Sequence, residues 1–113
     1  MPKTVSPPEV EKETVEQLTP LYNVVLLDDN EHTYDYVIEM LQNLFMMSAP
    51  DAYMHAVEVD EIGRTIVITC GLSEAEFGRD QILAYGPDWR MEKSKGSMKA
   101  IIEPAGQGPG VKP

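Results

Sequence analysis

The sequence is poor in the features that would place it in a disulfide-bonded, membrane or nucleic-acid-binding class. It has a single cysteine, Cys70, so no disulfide can form within the chain. No apolar run approaches the roughly 20 residues that a membrane-spanning helix needs. The opening residues, MPKTVSPPEVEKETVEQ, lack the apolar centre of a signal peptide. The expectation is a reducing, cytoplasmic setting with no membrane contact. Basic residues are also scarce: 9 Lys and Arg against 19 Asp and Glu give a net charge of −10. That sign repels a phosphate backbone and argues against a nucleic-acid partner. Recognisable catalytic patterns are missing as well. There is no Gly-rich phosphate loop, no GxSxG, no Cys–His pairing at a known spacing, and no HxxxH or CxxC. The two histidines, His32 and His55, lie in separate elements. The expectation is a non-enzymatic protein with no cofactor and no resident metal.

The chain has 113 residues, 42% of them hydrophobic, which suits one domain with one core. Residues 1–20 carry Pro2, Pro7, Pro8 and Pro20 among charges and few large apolar groups. Such a segment cannot offset its ordering entropy and reads as a disordered tail. The folded part is expected over residues 21–104, and residues 105–113, with Gly106, Gly108 and Gly110, read as a second flexible tail.

The folded part is organised around YNVVLLDDNEHTYDYVIEMLQNLF, residues 22–45. Its continuous apolar start predicts a central strand over Tyr22–Leu27. Asp28-Asp29-Asn30 makes a turn. Thr33 can cap a helix in which Tyr34, Val37, Ile38, Leu41, Leu44 and Phe45 fall on one apolar face. Ser48 can cap a second helix, with Pro50 in its first turn and Gly63 after its end. RTIVITC, residues 64–70, is β-branched almost throughout and predicts a strand. Simple alternation puts Ile66, Ile68 and Cys70 on one face and Thr65, Val67 and Thr69 on the other. Ser73-Glu74-Ala75-Glu76 reads as a capping box for a third helix running to Tyr85. Residues 88–97 read as a polar loop, and Ser97–Glu103 as a third strand. The order β-α-α-β-α-β predicts an α+β fold: a three-stranded sheet, with three helices packed on one side.

Charge is unevenly placed. Residues 28–61 hold nine acids and no Lys or Arg, a surface suited to a cation or a basic partner. A free protein N-terminus, with a pKa of about 7.7–8.0, is such a cation. Holding it needs carboxylate or carbonyl acceptors, at about 1.5–3 kcal/mol for each charge-assisted hydrogen bond. The turn at Asp28, Asp29 and Asn30 supplies acceptors. Tyr34, Val37, Ala56, Val59 and Met98 are candidates for an apolar wall beside it. Two other readings of the same residues stand next to this one. Asp28, Asp29, His32 and Asp60 are a possible divalent-ion set without a recognised ligand spacing, and the acidic run reads more simply as a solvated face. Tyr34, Val37, Ile38 and Leu41 read most simply as core. Met40, Met46, Met47 and Met54 read as packing residues, and His55 as a surface helix residue. Arg64 and Arg79 read as partners for nearby acids.

The block YNVVLLDDN…YVIEMLQNLF, then Val59-Asp60-x-x-Gly63-Arg64, Ala75-Glu76 and a short last strand ending in Glu103, resembles the ClpS family. The resemblance covers about Tyr22 to Ala105. These are adaptor proteins of Clp AAA+ unfoldases in bacteria and plastids. The resemblance implies the same element order and an adaptor that cleaves nothing itself. It would bind the free, bulky, apolar N-terminal residue of a substrate protein and deliver it to the N-terminal domain of a Clp unfoldase. The family's Asn-Asp-Asp turn, which holds the α-amino group, falls on Asp28, Asp29 and Asn30. A gating Met falls on Tyr34, a wall Val on Val37, a pocket Met on Ala56, a Val on Val59 and a Leu on Met98. A family histidine that also meets the α-amino group falls on Asp60, and a Thr near the turn on His32. On the third helix, Glu74, Glu76 and Arg79 stand on the surface implied to meet the unfoldase, while the family Lys falls on Gly78. The departures leave a second reading: a protein–protein module of the same fold without N-terminal recognition, or a cation-binding variant of the pocket.

Overall fold

A computed structural model of the chain describes residues 20–106. The tails expected at 1–20 and 105–113 lie almost wholly outside the described residues. The expected order is present: β1 (Tyr22–Leu27), α1 (Tyr34–Phe45), α2 (Ala49–Ile62), β2 (Arg64–Cys70), α3 (Leu72–Leu83) and β3 (Lys99–Pro104). The sheet is antiparallel with order β2-β1-β3, so the strand with the unbroken apolar run is the central one. Val24, Val25 and Leu26 are fully buried, and each contributes roughly 1.5–3 kcal/mol of transfer free energy. Val24 and Leu26 face the helices and join the core with Val37, Met40 and Leu41 of α1. Val25 faces the other way, between its cross-strand partners Ile66 and Ile101. Those two are half exposed, so the second face of the sheet is open to solvent along its flanking strands.

Simple alternation fails in β2. The register runs Leu26↔Thr65, Val25↔Ile66 and then Val24↔Ile68, leaving Val67 as an extra residue. This β-bulge reverses the facing of everything after it. Thr65 and Val67 are buried toward the helices, as are the partly buried Ile68 and Cys70 that pack on the core. Ile66 therefore parts company with Ile68 and Cys70, while Thr69 moves to the open face and donates to Asn23 Oδ1.

Both predicted caps of the first two helices form. The Thr33 hydroxyl accepts from Tyr36 N–H, and the Ser48 hydroxyl from Asp51 N–H. The buried face of α1 is Tyr36, Val37, Met40 and Leu41, rotated from the face that spacing suggests. Tyr34 is 37% exposed and is no core residue; Tyr36 replaces it, because its ring lies under the 86–98 loop. Met40 is packed as expected, but Met46 and Met54 are exposed, Met46 at a left-handed helix end. His55 is half-buried and bonds Thr65 Oγ1 at 2.8 Å. Arg64 pairs with Glu103 at 2.7 Å and Arg79 with Asp80 at 3.0 Å.

The third helix departs from its expected ends. It starts at Leu72, with Gly71 as N-cap and no side-chain cap, so Ser73 already lies inside the helix and no capping box forms. The reason is the short exit from β2. Burying Ala75, Gly78 and Ile82 fixes the helix phase and leaves no room for a longer turn. Gly78 is the point of closest approach: a Cβ there would stand 3.3 Å from Ile68 Cδ1 and from Phe45 Cε1. The helix ends at Leu83, and Tyr85 N–H turns back to Ile82 carbonyl in a tighter turn.

Gly63 closes α2 at φ 101°, a left-handed conformation that costs about 1–2 kcal/mol for a residue with a Cβ. Nothing lies within 4 Å of a Cβ placed there, so backbone strain is the whole effect. Gly63→Ala is expected to lower the unfolding free energy by about 1–2 kcal/mol at unchanged m-value in urea; a loss under about 0.3 kcal/mol would contradict this account of the turn.

Candidate functional site

The acidic turn is fixed by backbone before any side chain acts. Asp28 N–H donates to Gly63 carbonyl at 3.0 Å, tying the end of β1 to the turn that closes α2. This brings Val59 and Asp60, in the last turns of α2, beside the turn. Asp29 Oδ1 accepts Glu31 N–H at 2.9 Å, the local bond that aspartate favours in turns.

His32 is the bridge from this turn to the 86–98 loop, and its side chain is only 2% exposed. Its Nδ1 lies 2.8 and 3.0 Å from the two Asp29 oxygens, and its Nε2 lies 2.7 Å from Gly96 carbonyl. The carbonyl only accepts, so Nε2 carries a proton. The other ring nitrogen, Nδ1, faces both oxygens of the Asp29 carboxylate. The imidazole packs against the Tyr36 ring at 4.4 Å between centroids, and the Tyr36 hydroxyl donates to Gly86 carbonyl.

Asp88 is the second anchor. It is 1% exposed, yet every acceptor site is used. Oδ2 accepts Thr33 N–H at 2.7 Å and the Thr33 hydroxyl at 2.8 Å; Oδ1 accepts Arg90 N–H at 3.0 Å and its guanidinium at 3.1 Å. Burial alone would raise the carboxyl's pKa, but these four donors hold it below the ordinary aspartate value. Arg90 also reaches Glu39 of α1, and Asp88 N–H donates to Ser94 Oγ at 2.8 Å. The loop is thereby strapped across the start of α1, and Met98 follows it into the core.

These constraints produce one small hollow of about 40 Å³, lined by Asp28, Asp29, His32, Tyr34, Val37, Ala56, Val59, Asp60 and Met98. Nine of the ten residues named from the sequence as substrate contacts meet there. Asn30 does not; it is exposed at the tip of the turn, and the Asp29–Glu31 bond leaves it outside the lining. The apolar side is Val37, Ala56, Val59 and Met98, each at most 3% exposed. At the mouth the Tyr34 hydroxyl donates to Asp60 Oδ2 at 2.7 Å. That bond raises the phenol's pKa to about 12, so it remains a donor at any ordinary pH.

The hollow's electrostatics are unbalanced. Among the described residues Asp29 is paired with His32, but no cationic side chain pairs with Asp28 or Asp60. Partial desolvation at the lip pushes the Asp28 carboxyl up from its ordinary value. Asp29 N–H pulls it back in part, and the carboxylates of Asp60 and Asp29 push it further up. Among the described residues no group of three or more His, Cys, Asp or Glu side chains is arranged to hold a metal ion. Glu74, Glu76 and Arg79 lie on α3, with both glutamates exposed, and none touches the hollow. A wider, shallower depression of about 310 Å³ lies along α2, lined by Met54, His55, Val57, Glu58, Glu61 and Ile62. It shares no residue with the carboxylate hollow.

Fold and site together define a small α+β binding domain with a cleft that pairs carboxylates with an apolar floor. Residues 17–88 match the family model described as ATP-dependent Clp protease adaptor protein ClpS. The ClpS adapter of a Synechococcus sp. is 31% identical over 85 residues, covering 74% of this chain and 91% of its own. That of Synechococcus elongatus is also 31% identical over 85 residues, covering 74% of this chain and 87% of its own. The structure of Agrobacterium tumefaciens ClpS2 bound to L-phenylalaninamide superposes with a TM-score of 0.66 at 22% identity, over 76% of this chain and 98% of that one. The chain belongs to the ClpS family of Clp protease adaptors. Among the described residues no helix is long and apolar enough to cross a membrane.

Sequence reasoning missed Asp88 and Tyr36. Asp88 follows Gly86-Pro87 in a charged loop, where an aspartate ordinarily marks nothing but solvent. Its role depends on a contact 55 positions away. Asp88→Asn would leave one acceptor oxygen for four donors and aim an amide N–H₂ at two of them. The expected cost is about 3–5 kcal/mol. The depressed carboxyl pKa gives the sign with pH. This contribution is fully present above the unfolded-state value near 4 and is lost as pH falls through the lower folded value. Denaturant melts from pH 7 to pH 3 are therefore expected to show the wild type and Asp88→Asn converging in stability at the acid end.

Proposed function

We propose that this protein is an N-degron adaptor: it binds the free N-terminal residue of a substrate protein and delivers it to the N-terminal domain of a Clp AAA+ unfoldase. The observation that carries the reading is the hollow itself. Asp28 and Asp60, two carboxylates without a cation among the described residues, sit at the edge of a floor made by Val37, Ala56, Val59 and Met98. An α-ammonium supplies the missing charge, and the first side chain supplies apolar surface for the floor. Asp28 and Asp60 then accept from the ammonium. Asp29, oriented by His32, accepts a further N–H from it. A bulky apolar residue, Leu, Phe, Tyr or Trp, is the class of side chain the floor suits. The Agrobacterium ClpS2 structure supports this by its ligand, an aromatic amino acid amide. The protein performs no chemistry of its own, and its setting is the cytoplasm with the unfoldase.

Two measurements test the pocket. Peptides beginning with Leu, Phe or Tyr are expected to bind at least about tenfold more tightly than their N-acetylated forms, since acetylation removes the charge worth about 1.5–3 kcal/mol per hydrogen bond. Equal binding, or none to either, removes the α-amino reading. Asp28→Asn is expected to weaken the free peptide while raising the unfolding free energy at neutral pH. The sign follows from the raised pKa: an ionised Asp28 opposes folding above its folded value, and that opposition disappears with the charge. Binding is expected to fall above about pH 8, as the α-amino group loses its proton, and again in acid as Asp28 gains one.

Docking on the unfoldase is assigned to α3, through Glu74, Glu76 and Arg79. The exposed Phe77 between the two turns adds apolar area. Double charge reversal, Glu74→Lys with Glu76→Lys, is expected to weaken capture of a Clp N-terminal domain by at least about fivefold while leaving peptide affinity unchanged. Loss of both together would point to misfolding and would count against this surface.

A further inference from the structure

The bond across the mouth of the hollow gives it a property beyond simple affinity, and the inference rests on the reading of the site as an amine-binding pocket. Tyr34 begins α1 and Asp60 stands near the end of α2, so their 2.7 Å hydrogen bond joins the two helices over the opening. Beneath it the free space is about 40 Å³. A protein cavity that takes up benzene measures about 150 Å³. The closed hollow thus has about a quarter of the room an aromatic ring needs, enough for water and no more. Of the lining side chains that could yield that room, Val37, Ala56, Val59 and Met98 are locked in the core. Tyr34 is not: it is part-exposed, and its other ring contact is an edge-on approach to Tyr53 at 6.1 Å.

We propose that Tyr34 and Asp60 form a latch that makes opening of the apolar floor conditional on the ligand's ammonium group. Among the described residues Asp60 has one side-chain donor in the closed state, the tyrosine hydroxyl. An arriving α-ammonium offers the same carboxylate a charged donor, which is the better partner. The hydroxyl is displaced, the ring swings toward solvent, and the floor becomes deep enough for the first side chain. An apolar group without the amine has nothing to exchange for the lost hydrogen bond and meets a closed surface. An amine without a side chain opens the latch and gains no apolar burial. The two halves of the ligand are therefore read together, and the coupling lies in the chemistry of one carboxylate with two competing donors.

Tyr34→Phe tests this, because it keeps the ring and removes only the hydroxyl. The exposed position makes loss of fold a remote outcome, and a thermal melt beside wild type verifies it. Wild type and variant are titrated with a Phe-initiated peptide and its N-acetylated form. The latch predicts that the variant binds both peptides more tightly, by roughly three- to tenfold, the range of one ordinary hydrogen bond. It also predicts that the gain is larger for the acetylated peptide, so discrimination between the two narrows. Unchanged or weaker binding of both peptides by the variant, with wild type still preferring the free amine, overturns the latch and leaves the amine-binding reading standing. Wild type that binds neither peptide overturns that reading and the latch with it. Asp60→Asn supplies the second arm: it keeps an acceptor for Tyr34 but removes the charge, and is expected to lose most of the amine preference without deepening the hollow.

Discussion

The buried carboxylate of Asp88 ties the head of α1 to the loop before β3. Four donors converge on it, two from Thr33 at the head of α1 and two from Arg90 in the loop before β3. A buried charge of this kind is tolerated only when fully hydrogen-bonded. The demand works as a positional constraint: the loop, the helix start and the residue that caps it must all arrive at one point. Thr33 shows how tightly the parts are shared. Its hydroxyl hydrogen goes to Asp88 and its oxygen accepts Tyr36 N–H. Helix capping and loop docking are thus one arrangement, and the 86–98 loop gains an ordered course without secondary structure of its own.

From that point the site follows in steps. The docked loop presents Gly96 carbonyl and Ser94 to His32, which orients Asp29. The Asp28–Gly63 backbone bond brings the end of α2 to the same place. The result crowds Asp28, Asp29 and Asp60 around about 40 Å³ of space, a grouping of like charges that costs stability. The fold meets part of the cost itself: the imidazole of His32 faces Asp29, and the Tyr34 hydroxyl faces Asp60. Asp28 keeps only a backbone N–H and carries the residual strain as a raised pKa. Among the described residues no cation answers Asp28 and Asp60, and the ligand proposed above, a cation attached to an apolar group, is chosen to meet that lack and the apolar floor beside it.

Several elements were legible before any coordinates. The unbroken run Val24–Leu27 marked the central strand, because only a strand flanked on both edges and covered on its inner face can bury consecutive apolar side chains. Thr33, Ser48 and Gly63 marked helix ends through chemistry local to a few residues. The acidic turn and its apolar neighbours were recognisable through the family pattern, which is why nine of ten candidate contacts share one hollow. What was not legible has a common cause. The facing of β2 beyond Ile66 depends on a bulge at Val67, which arises from pairing with β1 and leaves no local mark. The buried face of α1 turns by one residue because Tyr36 is covered by a loop some 50 positions away. The third helix starts at Leu72 because its packing residues set its phase, over the preference of Ser73 for a cap.

The sequence by itself determined the order of the elements, the central place of β1, the family, and the acidity of the turn, since each is written in neighbouring residues or in a pattern of fixed spacing. Only the tertiary structure decided which carboxylates stand together, which of them has a proton donor, and how small the space between them is. Those properties depend on distances between residues far apart in the chain: Tyr34 from Asp60, His32 from Gly96, Thr33 from Asp88. Short-range patterning carries no measure of such distances; packing sets them, and the electrostatics of the site follow from them.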